Sequence, residues 1–112
     1  MVRRYAAKSD SNQKEIKEAL EKAGASVHDL KAAGEGFPDL AVGYMGVTYL
    51  VEVIGPDKLK RFRKNGGLSD NQVEWHDAWR GHCCKVTNVE EALGVIGLVQ
   101  VPFRGTINGE TE

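Results

Sequence analysis

Two apolar, β-branched runs, DLAVGYM and VTYLVEVI, meet at Met45-Gly46, and this junction constrains the fold of the chain more than any other feature. Paired runs around a glycine-containing turn predict a β-hairpin. A two-residue turn sets Tyr44 opposite Val47 and, further out, Asp39 opposite Glu52. Directly opposed residues on antiparallel strands hold their Cβ atoms about 4.5–5.5 Å apart on one face. Carboxylates that close repel each other, and a divalent cation between them removes the conflict, because hard cations take carboxylate oxygens. A three-residue turn would shift the register by one and set Asp39 against Val51 instead. Glu52 is costly in its own right. In YLVEVI it shares a face with Leu50 and Ile54, where a carboxylate needs a partner or a metal. Taken singly, Asp39 fits an ordinary Pro-Asp turn and Glu52 a water-facing edge strand. Taken together, they point to a metal site.

The flanking sequence supplies the other elements. Ser9, Asp10, Ser11 and Asn12 offer N-cap chemistry, and Ile16, Leu20 and Ala23 recur at helical spacing, so a helix is expected over 11–23, stopped by Gly24. ASVHDL (25–30) reads as a short strand, and KAAGEGFP (31–38) as a Gly-rich loop. GPDKLKRFRKNGG (55–67) also reads as a loop, one whose glycines suggest that it orders on a ligand. Ser69 caps a second helix closed by Gly81; HCCKVTN (82–88) is a fourth strand, and Asn88 caps a helix over 89–97. The segment 98–112 reads as a short C-terminal extension, with room for one strand before a polar tail. The order α-β-β-β-α-β-α describes a mixed α/β sheet with helices packed on it, and 112 residues suffice for a single domain over 1–112.

Composition (41% hydrophobic, 28% charged) is that of an ordinary globular chain, and no apolar run approaches the roughly 20 residues that cross a bilayer. Without an apolar signal region at the start, a cytoplasmic location and no membrane partner are expected. Cys83 and Cys84 are adjacent, so they suit neither a mutual disulfide nor a CxxC zinc site. Net charge is −1, but five of the seven residues 58–64 are basic: Lys58, Lys60, Arg61, Arg63 and Lys64. Such asymmetry marks a face suited to phosphates, and Arg3, Arg4 and Lys8 add to it.

Gly36-Phe37-Pro38-Asp39-Leu40 followed by Tyr49-Leu50-Val51-Glu52-Val53 resembles the PD…(D/E)xK nuclease signature. With Asn12, Gln13 and Glu15 on a preceding helix and Leu68-Ser69-Asp70-Asn71-Gln72 opening the next, the chain is similar to VRR-NUC domains of the stand-alone bacterial and phage kind. The resemblance spans about 8–97. It implies a restriction-endonuclease-like fold and a Mg²⁺- or Mn²⁺-dependent DNA endonuclease that leaves 5′-phosphate and 3′-hydroxyl ends. It further implies branched, Holliday-junction-like DNA as partner, a homodimer, and a bacterial or host cytoplasm. Carried over by residue, Asp39, Glu52 and the Val53 carbonyl hold the metal, Glu15 is an outer or second-metal ligand, and Gln72 helps orient the water or the metal shell. Lys58, Lys60, Arg61, Arg63 and Lys64 would overhang the site and meet the DNA backbone.

One position departs from the pattern. The motif lysine follows the acidic residue by two, and here that residue is Ile54. Isoleucine neither orients water nor offsets negative charge. Three readings stand open: an inactive DNA-binding form, a lysine (Lys58 or Lys60) reaching back from the following segment, or slow cleavage by the metal alone. Trp75 and Trp79, four apart on the second helix, are expected to pack on the sheet; base stacking and a dimer contact are the alternatives. His28, His76 and His82 lack metal-ligand spacing.

Overall fold

The computed structural model describes the backbone of residues 3–98 and side chains from Asn12 to Leu98. The hairpin is present. Strand β2 (Leu40–Tyr44) pairs antiparallel with β3 (Val47–Val53), Tyr44 against Val47 and Leu40 against Val51. Met45 and Gly46 both adopt positive φ, 49° and 81°, the pattern of a type I′ turn whose twist matches that of the strands. The two-residue turn therefore holds, and the three-residue register is excluded. Strand β1 (Ser26–Asp29) adds to β2 antiparallel, and β4 (Cys84–Val86) adds to β3 in parallel. The sheet order is β1-β2-β3-β4.

Helix α1 (Arg3–Lys22) begins well before the expected position 11. It brings Ile16 and Leu20, both fully buried, onto one face of the sheet. Leu40 and Val42 from β2, Val51 and Val53 from β3, and Val86 from β4 point to that face. Helix α4 (Val89–Val95) adds Ala92, with Ile96 just beyond its end. Asn88 caps α4 by accepting from the Glu91 amide at 2.8 Å. This half of the protein is the apolar core, and truncating Ile16 or Leu20 to Ala would cost about 2–5 kcal/mol.

The opposite face carries the chemistry. By the alternation of β3, Glu52 and Ile54 project there, away from Val51 and Val53. Helix α3 (Asp70–Ala78) starts over this face with a capping box: Ser69 Oγ accepts from the Gln72 amide, and Gln72 Oε1 accepts from the Ser69 amide at 3.0 Å.

Several expectations are corrected. The stretch 55–67 is not a loop throughout: α2 (Pro56–Arg61) and a 3-10 turn (Arg63–Asn65) occupy most of it. Pro56 in the first turn and Asp57 beside the positive end of the peptide dipoles favour α2. It buries no residue, so no apolar periodicity announced it. The element order thus gains a helix between β3 and α3. The tryptophans are not part of the apolar core cluster. Trp75 and Trp79 stack on each other at 4.7 Å, and Phe37 meets both rings edge-on at 5.0 and 6.3 Å. The further strand expected in 98–112 lies outside the described residues.

Candidate active site

The segment Gly36-Phe37-Pro38-Asp39 is held against α3. Gly36, at φ 82°, approaches so closely that a Cβ there would lie 2.6 Å from the Asn71 carbonyl oxygen. Only glycine accepts both that contact and that backbone angle. Phe37 wedges against Trp75, and the buried Pro38 leads directly into Asp39. The aromatic cluster therefore fixes the entry of β2 and aims the carboxylate of Asp39 across the hairpin. Asp39 Oδ2 accepts from the Val53 amide at 2.9 Å.

Glu52 is fully buried. Its Oε2 accepts from Gln72 Nε2 at 2.8 Å and from Lys58 Nζ at 3.1 Å, while its Oε1 has no hydrogen-bond partner. Burial, then the charge of Asp39, push the Glu52 carboxyl from 4.5 up to about 7, against the opposing pull of Lys58. Lys58 reaches in from α2. Its ammonium lies 3.2 Å from Asp39 Oδ2, 3.1 Å from Glu52 Oε2 and 2.9 Å from the Val53 carbonyl oxygen. Burial alone would lower the Lys58 value, but Asp39 and then Glu52 more than offset it, and the net direction is upward.

The structure thus brings Asp39, Glu52, the Val53 carbonyl, Gln72 and Lys58 together. Ile54 is buried on the same face and packs under Gly67, whose Cβ, were there one, would lie 2.5 Å from Ile54 Cγ2. Glu15 is exposed and does not line the cleft around Asp39. Asn12 and Gln13, one turn earlier on α1, line it instead. Asn12 Nδ2 reaches the Thr87 carbonyl at 3.4 Å, and Gln13 Nε2 reaches Asp29 Oδ2 at 3.5 Å. The cleft, roughly 960 Å³ and open to solvent, also takes Lys60 and Arg61 on its rim. Arg63 and Lys64 line a neighbouring basic groove with Arg61 rather than this cleft.

The donors suit a hard cation. Two carboxylate oxygens and a carbonyl oxygen converge on one positive group, and a further carboxylate oxygen, Glu52 Oε1, is buried without a partner. Among the described residues no group of three or more His, Cys, Asp and Glu could hold a metal, so water or substrate oxygens would have to complete the coordination. Thiolate chemistry is unsupported: burial pushes the Cys83 thiol up to about 12 and the Cys84 thiol up to about 11.

A four-stranded mixed sheet flanked by helices defines a mixed α/β class of fold, and the acidic pair lies at the open end of its hairpin. A solved structure described as a VRR_NUC domain is similar to this chain at 26% identity and a TM-score of 0.57, covering 79% of this chain and 92% of that one. The chain takes the VRR_NUC fold, as its motif residues led us to expect. No family model matches the sequence, and no curated protein matches it. Among the described residues no helix is long and apolar enough to cross a membrane.

Proposed function

We propose that this protein is a divalent-cation-dependent DNA endonuclease in which Asp39, Glu52 and the Val53 carbonyl hold Mg²⁺ or Mn²⁺. The observation that carries the proposal is the convergence of those three oxygens on a single positively charged group, 2.9–3.2 Å from each. When bound, the cation would supply charge stabilisation for the scissile phosphate and a more acidic attacking water. The chain's own residues do the rest. Gln72 fixes the Glu52 carboxylate by a 2.8 Å hydrogen bond. Asp39 is oriented by the Val53 amide. Lys60 and Arg61, exposed on the rim of the cleft, offer charge to the DNA backbone, with Arg63 and Lys64 extending the basic surface along the next groove.

Ile54 supports a second reading, a DNA-binding module that no longer cuts, because the strand position of the motif lysine is apolar and buried. The first reading is favoured because both carboxylates and the Val53 carbonyl still converge on one point, with Gln72 holding Glu52 there. Branched DNA as substrate and a homodimeric assembly belong to this proposal through the resemblance to resolvase-like relatives.

Incubation of a four-way junction with the native chain and with Asp39→Asn, in Mn²⁺, tests it. Cleavage by the native chain alone is expected. Salt-dependent junction binding by both proteins, with no cleavage by either, would select the second reading. In the binding assay, Lys60→Ala and Arg61→Ala should each flatten the log–log salt dependence by about one.

A further inference from the structure

Lys58 engages one oxygen from each of the three groups that would hold the proposed cation. Its Nζ contacts Asp39 Oδ2, Glu52 Oε2 and the Val53 carbonyl within hydrogen-bonding distance. A hard divalent ion binds such oxygens at about 2.0–2.6 Å. An ammonium held by the same three atoms would then be pressed against it with like charge and no intervening ligand. Both cannot occupy the point where the donors converge.

The element that carries Lys58 is suited to leaving. Helix α2 spans six residues, buries none of them, and is joined to β3 through the buried Ile54 and then Gly55. Its side chains other than Lys58 face solvent, so withdrawing it exposes little apolar surface. Lys60 and Arg61, on the same helix, line the cleft. An ammonium released from the carboxylates would join these two charges at the cleft rim.

We propose that Lys58 is a tethered stand-in for the site's cation, holding the two carboxylates together until a divalent ion exchanges for it and frees it to bind phosphate. Metal loading and backbone binding are then coupled: the ion that completes the site also adds a charge to the DNA-binding surface. This inference rests on the metal-dependent reading above, and it differs from a lysine that works beside the ion as the missing motif residue would. A lysine of that second kind stays at the site when the ion binds. The exchanging lysine departs.

The test uses Mn²⁺ alone. If Lys58 fills the site nine-tenths of the time or more, its removal should tighten Mn²⁺ binding about tenfold or more, because apparent affinity scales with the binding-competent fraction. Calorimetric titration of the native chain and of Lys58→Met reads this directly. Lysine acylation followed by mass spectrometry gives an independent readout on the unaltered protein, so the test survives if the variant folds poorly. Lys58 should be labelled several times faster in saturating Mn²⁺, with Lys60 unchanged as the internal control. Equal or weaker Mn²⁺ binding by Lys58→Met overturns the inference. So does Lys58 remaining protected while Mn²⁺ is bound. If native protein binds Mn²⁺ and Asp39→Asn does not, that failure leaves the metal-dependent reading standing. If no form binds Mn²⁺, both proposals fall together.

Discussion

Replacing Glu52 by Gln should stabilise the metal-free protein at neutral pH, because its ionised carboxylate is an energetic debt of the native state. The folded carboxyl titrates near 7, against 4.5 as its ordinary value. Between those two values the native state retains a proton that the unfolded chain has released, so stability falls as pH rises through this window. Below about 4.5 both states are protonated and the penalty vanishes; above about 7 it is complete and constant. At about 1.4 kcal/mol per pH unit, lifting the carboxyl to about 7 costs about 3 kcal/mol at pH 8. The side chain is fully buried, so solvent screening removes little of this. Glutamine cannot ionise, and in the native chain Lys58 also bonds Asp39 and the Val53 carbonyl, neither of which the substitution removes. Lys58 does not confound the window. Its value is raised from 10.5, so the stability it contributes is present below that pH and lost only above it. Urea unfolding followed by tryptophan fluorescence, in EDTA from pH 4 to pH 8, measures the difference between Glu52→Gln and the native chain. That difference should grow from near zero to about 3 kcal/mol in favour of the variant. A flat or inverted profile would refute the reasoning. Added Mn²⁺ should reverse the order, since the native chain gains about 4.1 kcal/mol when the ion is at a thousand times its dissociation constant.

Ile54→Lys, which restores the motif lysine, should destabilise the metal-free protein by about 3 kcal/mol, because it places an ammonium in the buried position beneath Gly67, close to that of Lys58. Adding Lys58→Met to that variant should recover part of the loss in thermal melts, and no loss in the single variant would count against this account. Gly36→Ala should cost about 2 kcal/mol by forcing a Cβ toward the Asn71 carbonyl at a positive φ. It should also weaken Mn²⁺ binding measured by calorimetry, since Phe37 to Asp39 must shift with it.

Local chemistry determined much of this protein. Met45-Gly46 accepts the two positive φ values of a type I′ turn, and that turn alone fixes which residues of β2 and β3 oppose each other. The juxtaposition of Asp39 and Glu52 was therefore legible in the sequence, as were the Ser69 and Asn88 caps. These are interactions among near neighbours, and residue type suffices to specify them. The tertiary structure decided what lies beyond that range. Helix α2 buries nothing and carries no apolar stripe, so neither its existence nor the direction of Lys58 could be read from periodicity. Only the space left between the hairpin's carboxylates and the start of α3 determines that one lysine of the basic run turns inward while Lys60, Arg61, Arg63 and Lys64 stay exposed. The clamp of Phe37 on Trp75 likewise joins segments far apart in the chain, through an approach that Gly36 permits but does not announce. Hydrogen bonding and turn geometry are local and leave a signature in sequence. Where a flexible, charged side chain comes to rest depends on the field and the packing of the whole fold.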